Sequence, residues 1–425
     1  MRLTALQWAV VVLCFAVNAL DGFDIQAIAF TAPSIRDAWT LSGRTLGVVF
    51  SAGLVGMAVG SILLGALSDR IGRRRTILLC VALFGTATLL TGAARNVPEL
   101  IALRFLTGLG IGGVLPSLNT LVAEYSPERR RNLLVAVMHL GYPIGAMTGG
   151  LIAAQIIPEH GWRWVFYGGG LATLALWPLL AAALPESPQY LLGRSDARSR
   201  ERGLTLLARI GQRADTGPEP GASGPDRGPG ILARAGGMRT RTLALWSGFF
   251  LGYLALYFLM SWIPTLLVDA GLALDRSIYA GIALNVGGGI GMLALGHWSA
   301  TRGLRPLIMG FFIAAALSMA VLGQLPLEIA LLLPVTVVCG FFALGALIGL
   351  YSVAARIYPA AARASGVGWA IGAGRVGGIL GPVIGGVLVE LQWPTGWYFT
   401  LAAVPLLLAT GAMAAIRARE LAPGA

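Results

Sequence analysis

Residues 46–95 read LGVVFSAGLVGMAVGSILLGALSDRIGRRRTILLCVALFGTATLLTGAAR. Two apolar runs, 46–67 and 76–95, flank a polar turn that carries four arginines between 70 and 75. Each run is about 20 residues, the length of helix that crosses ~30 Å of hydrocarbon. A helix satisfies its own backbone where there is no water to do so. The stretch predicts two membrane helices joined by a basic hairpin, and the rest of the chain repeats that unit.

Of the 425 residues, 56% are hydrophobic and 12% charged, with a mean hydropathy of +0.76; soluble domains average roughly 25% charged. Setting apolar runs against polar breaks predicts spans at 7–34, 46–67, 76–95, 99–122, 133–157 and 162–184, then 242–268, 276–298, 306–323, 327–352, 365–389 and 395–416. The expected class is an all-α membrane protein of twelve transmembrane helices. The formal net charge is +12 and every one of the 31 basic residues is arginine, which excludes lysine Schiff-base chemistry. The arginines lie in loops between apolar runs, so the membrane accounts for them and no nucleic-acid partner is expected. Cys14, Cys80 and Cys339 each sit inside an apolar run without a partner at disulfide or metal spacing, and read as core residues. Arg2 and the apolar stretch from Trp8 imitate a signal peptide, but the apolar character continues to Ile35, so a retained first span is expected.

With both termini in the cytoplasm, 24 arginines fall on the inner side and five on the outer, Arg36, Arg44, Arg95, Arg163 and Arg276. That bias fixes the expected topology in the cell's inner membrane. The gap 185–241 contains GPEPGASGPDRGPG at 217–230, too poor in apolar residues to pack, and reads as a partly disordered cytoplasmic linker between six-helix bundles at 1–184 and 242–425. The stretch 196–211, DARSRERGLTLLARIG, fits either a short amphipathic helix on the inner membrane surface or a solvated helical turn. The two halves repeat. LGALSDRIGRR at 64–74 aligns with LGHWSATRGLR at 295–305, an offset of 231, and Pro127 and Arg131 align with Pro359 and Arg363 at 232. Six spans per half make a parallel repeat about a pseudo-two-fold along the membrane normal, the arrangement in which transporters bind substrate near the midplane.

The loop Gly65-Ala-Leu-Ser-Asp69-Arg70-Ile-Gly72-Arg73-Arg74 is similar to the best-known signature of the major facilitator superfamily. Further matches are Asp21-Gly-Phe-Asp24, RFLTGLGIGG at 104–113, EYSPERRR at 124–131, PESPQYL at 185–191 and GVGWAIGAGRVGGILGP at 366–382. With them the chain resembles, over nearly its whole length, the aromatic acid:proton symporter family. The resemblance implies proton-coupled uptake of an aromatic carboxylate of the 4-hydroxybenzoate, protocatechuate or gentisate type. A carrier of another small organic acid (muconate, nicotinate or an aliphatic acid) and a proton-antiport exporter remain as alternatives. Ala300 and Thr301 stand where many relatives keep an acid and an arginine, so a symmetric charged latch is not expected there.

Four formal charges lie deep in the spans: Asp21, Asp24, Arg104 and Arg375. Such residues are costly in hydrocarbon and point to function. Asp21 and Asp24 share a helix face, and Arg104 lies at a depth to meet Asp24. Two carboxylates away from water cannot both stay charged cheaply, so one of them is expected to hold a proton that Arg104 tunes. Arg375, able to grip a carboxylate with two parallel hydrogen bonds, is the candidate for the substrate's anionic end. For all four the alternative is a static ion-pair network. Tyr142, Tyr253, Tyr257, Trp262 and Trp369 are candidate walls for an aromatic ring and Asn119 and Asn285 candidate hydroxyl readers, with plain packing the alternative for each. His139 either shuttles a proton or packs with a hydrogen bond. Gly65, Asp69, Arg70, Gly72, Arg73, Glu124, Arg131 and Arg363 are expected to form the inner gating network. Gly108, Gly110 and Gly113, like Gly372, Gly374 and Gly377, fit G-x-G-x-x-G, but within apolar spans they read as helix-packing positions. No H-E-x-x-H, serine elbow or cysteine cluster suggests an enzyme, and no metal or cofactor is expected. The expected partners are protons, the aromatic carboxylate and the bilayer, with the chain a monomer.

Overall fold

Every regular element among the described residues is helical, as an apolar chain without water to satisfy its backbone requires. The structure, a computed structural model, describes residues 3–211, 239–299, 302–358 and 360–416. The stretch 217–230, Ala300, Thr301 and the side chain of Arg363 lie outside that description.

The first six spans are α1 (Ala5–Trp39), α2 (Gly43–Ile71), α3 (Arg73–Thr91), α4 (Val97–Tyr125), the broken pair α5 (Arg131–His139) and α6 (Gly141–His160), and α7 (Arg163–Ala183). Two short helices follow, α8 (Pro188–Leu192) and α9 (Ala197–Arg209). The remaining spans are α10 (Arg239–Asp269), α11 (Leu274–Trp298), α12 (Leu304–Leu322), α13 (Ile329–Ile357), α14 (Ala360–Val389) and α15 (Thr395–Ala414). Twelve segments among the described residues are long and apolar enough to cross a membrane. The helix ends fall within about five residues of those the apolar runs predict. Within 196–211 the chain is helical over Ala197–Arg209, and Asp196 caps that helix, α9, by accepting from the Ser199 N–H at 2.8 Å.

The repeat survives at the backbone. Gly72 (φ +99°) precedes α3 and Gly303 (φ +74°) precedes α12, both in the left-handed region that glycine enters without strain. Helices α3 and α12 each have 19 residues, and α4 and α13 each have 29.

The chain divides into two compact units. One comprises Met1–Ala27, Ala52–Ile152 and Glu159–Pro220; the other comprises Ile28–Ser51, Ala153–Pro158 and Gly221–Ala425. The stretch 28–51, expected with the first six spans, thus packs with the second unit. Its contacts there explain why. Arg36 pairs bidentately with Asp269, Glu390 accepts from the Arg44 N–H at 3.0 Å, Phe50 packs edge-on against Trp262, and the Ser51 hydroxyl donates to the Ile379 carbonyl at 2.6 Å.

In the first unit the core joins α1, α3, α4, α5 and α7 through residues such as Val10, Val17, Phe84, Leu118, Met138 and Leu180. Spans 1 and 5 cross at backbone contact: a β-carbon on Gly22 would overlap the Tyr142 carbonyl, and one on Gly145 the Ala19 carbonyl. Phe23 fills a slot that Gly149 of α6 and Gly169 of α7 leave open, which fixes the rotation of α1 about its axis. Gly145→Ala is expected to cost about 1–3 kcal/mol by overpacking, whereas Gly168→Ala, with nothing within 4 Å of the added carbon, leaves the melting temperature in detergent unchanged.

Candidate functional site

The rotation that seats Phe23 turns Asp24 toward α3 and α4. Asp24 and Arg104 are each 3% exposed, and the guanidinium Nη2 donates to Oδ2 at 2.6 Å. The other oxygen, Oδ1, accepts from the Thr88 hydroxyl of α3 at 2.6 Å. Arg104 lies over the face of Phe166 in α7, 5.4 Å from the ring centre. One carboxylate is therefore held by a cation and a hydroxyl in a dry interior. One turn earlier on α1, Asp21 is 2% exposed, and its Oδ1 has no hydrogen-bond partner, nor has Nη1 of Arg104. Two carboxylates one turn apart on α1 are thus buried with one arginine, which pairs with Asp24, so the acids carry one negative charge more than it balances whenever both are ionised. Helix propensity is silent about Thr88 and Phe166; neither stands out in an apolar run, and the sequence reading did not find them.

The second cluster forms at the break in span 5. Pro143 has no N–H to give the carbonyl of His139, so that turn loses its helical bond. Asn18 of α1 repairs the gap: its Nδ2 donates to the Met138 carbonyl at 3.0 Å and the His139 carbonyl at 3.3 Å. The ring of His139 is exposed, and its Nε2 lies 2.8 Å from Oδ1 of Asn119 on α4. Tyr142, half-buried, follows three residues later on the same helical face.

The second unit carries an aromatic ladder. Phe249, Tyr253 and Tyr257 recur every four residues on α10 with their rings stacked, centres 6.2 Å and 5.8 Å apart. Gly374 and Gly378 of α14 face the rings of Tyr253 and Tyr257, so the glycine spacing of GAGRVGG makes room for the ladder. Arg375 lies between those glycines in sequence and is half-buried. The Tyr253 and Tyr351 hydroxyls share a hydrogen bond of 2.5 Å. Tyr351, on α13, is a residue the sequence reading missed. Trp369 is 60% exposed and stacks on Trp246. The structure does not bring Trp262 or Asn285 into this group. Trp262 is fully buried with its indole N–H on the Pro382 carbonyl at 3.0 Å, and Asn285, 2% exposed, donates to the Gly281 carbonyl of its own helix at 3.0 Å.

Around the hairpin between α2 and α3, Asp69 near the end of α2 pairs with Arg73 at the start of α3 at 2.9 Å, while Gly65 has room for a side chain beside Pro116. The hub of this network is the PESPQYL segment. Glu186 accepts from the N–H groups of Arg74 (3.0 Å) and Ser187 (2.9 Å); Gly72 is bare because a β-carbon there would overlap the Glu186 carboxylate. The Tyr190 hydroxyl donates to the Arg70 carbonyl at 3.0 Å, and Arg73 lies over the Tyr190 ring. Glu124 is bound by the Ser187 hydroxyl rather than by Arg131, which is exposed at the start of α5. Glu186, Ser187 and Tyr190 were legible only as part of a family match.

Arg104→Gln leaves the Asp24 carboxylate buried without its cation and is expected to cost about 3–5 kcal/mol. Adding Asp24→Asn to it removes the stranded charge and restores most of the loss, as thermal melting of the purified single and double variants measures.

A family model described as Major Facilitator Superfamily matches residues 14–348. The gallate transporter of Pseudomonas putida is 38% identical over 416 residues, 97% of this chain and 92% of its own length. The 4-hydroxybenzoate transporter PcaK of Pseudomonas aeruginosa is 37% identical over 418 residues, again 97% and 92%. The 3-(3-hydroxy-phenyl)propionate transporter of Escherichia coli is 33% identical over 402 residues, 93% and 91%. In fold, the chain is similar to an inward-facing, occupied crystal structure of a bacterial homologue of the human lysosomal transporter Spinster, with a TM-score of 0.77 at 18% identity covering 99% of this chain and 100% of that one. It is also similar to the inward-open xylose transporter XylE of E. coli, with a TM-score of 0.74 at 19% identity covering 95% and 94%. With twelve spans and relatives alike over nearly its full length, the chain belongs to the major facilitator superfamily and, within it, to the aromatic-acid transporters, a family of carriers rather than enzymes.

Proposed function

We propose that the protein imports an aromatic carboxylate across the cytoplasmic membrane together with a proton, by alternating access, with both termini inside. The observation that carries the proton half is the buried cluster in which Arg104 meets Asp24 while Asp21 has an unpartnered oxygen. A proton on the cluster balances its charge; its loss, with Arg104 paired to Asp24, leaves one carboxylate uncompensated. That imbalance is what a carrier needs to tie protonation to a change of shape.

The substrate half rests on the relatives and on the ladder. Arg375 holds the carboxylate, Tyr253 and Tyr257 offer ring faces, and Tyr351 holds the Tyr253 hydroxyl by a hydrogen bond. The energetics favour symport for uptake. A benzoate-type acid is ionised at neutral pH, and moving one negative charge inward against ~100 mV costs ~2.3 kcal/mol. One proton per anion cancels that cost. The contacts of Asp69, Arg73, Glu124 and the 185–191 segment form the inner latch, and the pairs Arg36–Asp269 and Arg44–Glu390 hold the outer ends of α1 and α2.

Proteoliposomes with an alkaline interior are expected to accumulate labelled 4-hydroxybenzoate or gallate, to lose the accumulation with a protonophore, and to show none with Asp24→Asn. Arg375→Gln is expected to raise KM by roughly 10- to 100-fold, the loss of hydrogen bonds to a charged group. Accumulation that ignores the pH gradient, or that survives Asp24→Asn, overturns proton coupling through this cluster.

A further inference from the structure

The first unit carries a charged groove that neither proton coupling nor carboxylate binding uses. It has a volume of about 540 Å³ and lies between the start of α3, the segment after α7 and the side of α9; small-molecule sites fall in that size range. Four formal charges line it, the guanidiniums of Arg74 and Arg202 and the carboxylates of Glu186 and Glu201, with Leu184 and Leu206 as apolar wall. Residue 74 is the second of α3 and residue 184 follows the last of α7. The groove therefore sits at the level where both spans leave the hydrocarbon, on the side that the proposed topology places inside.

Its walls are anchored. Gly203 of α9 packs on Leu191 and Leu192, and Leu207 and Ile210 reach the core of the unit. Arg74 spends one donor on the Ala181 carbonyl, from Nη2 at 2.5 Å, and keeps the others. Glu201 and Arg202 are exposed, and among the described residues neither has an ion-pair partner. Just before the groove, Leu179, Ala182 and Ala183 share one face of the last turn of α7, and all three are exposed. An exposed apolar stripe on a membrane span meets lipid tails. A lipid lying along it brings its headgroup to the groove.

The charge pattern selects the headgroup. Two positive and two negative walls give a simple anion no net attraction, since the glutamates cancel what the arginines contribute. A zwitterion finds partners for both of its ends, a phosphate on the guanidiniums and an ammonium on a carboxylate. The ammonium must carry hydrogens to donate; a trimethylated amine has none, and a glycerol head has no cation at all.

We infer that this groove binds the headgroup of phosphatidylethanolamine, with its phosphate on Arg74 and Arg202, its ammonium on Glu201 and an acyl chain along the end of α7. The bound lipid ties α9 to α3 beside the contacts of Glu186 with Arg74 and Ser187, and so stabilises the inner latch. The inference does not depend on which solute is carried.

The test is thermal melting of the purified full chain in detergent with added dioctanoyl phosphatidylethanolamine, phosphatidylglycerol or phosphatidylcholine, or with glycerophosphoethanolamine, the same headgroup without chains. Phosphatidylethanolamine is expected to raise the melting temperature saturably, and at a lower concentration than the other three. Arg202→Gln and Glu201→Gln are each expected to raise its half-saturating concentration roughly tenfold or more, the loss of a hydrogen bond between charged groups. Glu201→Gln is also expected to erase the preference over phosphatidylglycerol. Arg200→Gln, on the same helix but outside the groove, is expected to respond as wild type does, which separates the site from general surface charge. Native mass spectrometry, which counts bound lipids directly, makes the same comparison for a variant whose lipid-free melting differs. Equal responses to the three lipids, or a response that both groove variants leave intact, overturn the inference. A stronger response to phosphatidylglycerol overturns it in favour of an anionic-lipid site, and an equal response to the chainless headgroup in favour of a soluble ligand. None of these outcomes touches the transport reading, because melting with lipid does not report on the carried acid.

Discussion

Hydrocarbon offers no hydrogen bonds, so each polar group carried into it must bring its own partner. That constraint organises the details described above. Asn18 binds the carbonyls of Met138 and His139 at the span 5 break, Pro382 takes the indole hydrogen of Trp262, and Asn285 folds back on its own helix. Asp24 receives a cation and a hydroxyl at once. Against this background the unpartnered oxygen of Asp21 and the unpartnered nitrogen of Arg104 are conspicuous, because they lie in one cluster. An open donor and an open acceptor on charged groups are where a proton or a change of partner has a large effect.

Glycine supplies the geometry for those pairings. Removing side chains at Gly22 and Gly145 lets spans 1 and 5 touch, and at Gly149 and Gly169 admits the ring that sets the angle of Asp24. Gly374 and Gly378 do the same for the tyrosine ladder, on a helix that also presents Arg375. Most glycines of the runs that mimic a nucleotide-binding fingerprint are packing positions: a β-carbon on Gly110 would crowd Cys80 and Phe84, and one on Gly377 would overlap the Phe250 carbonyl, whereas one on Gly372 would meet nothing within 4 Å.

The spans were readable because a membrane imposes a length and a composition that few other environments do. Asp24 and Arg104 were readable because charge in such a run is expensive enough to be rare. Thr88, Phe166 and Tyr351 were not, since an uncharged residue in an apolar helix gives no sign of what it will face. Trp262 illustrates the converse: an aromatic on the right helix has the chemistry for a ring site, yet only packing decides that it faces Phe50 and Pro382 instead. The stretch 28–51 departed from the expected division for a similar reason. Its ties to Asp269, Ile379 and Glu390 span more than 200 positions of sequence and carry no local pattern.

The repair of span 5 has a mechanical consequence. A proline break with bare carbonyls would be a joint, free to bend wherever solvent reached it. Here a side chain from α1 occupies both carbonyls, and glycine contacts a turn above bind the same two helices backbone to backbone. The break is therefore splinted. Span 5 and the part of α1 that carries Asn18, Asp21 and Asp24 form one lever, and any tilt of one displaces the acidic cluster and the His139 ring by a common rotation.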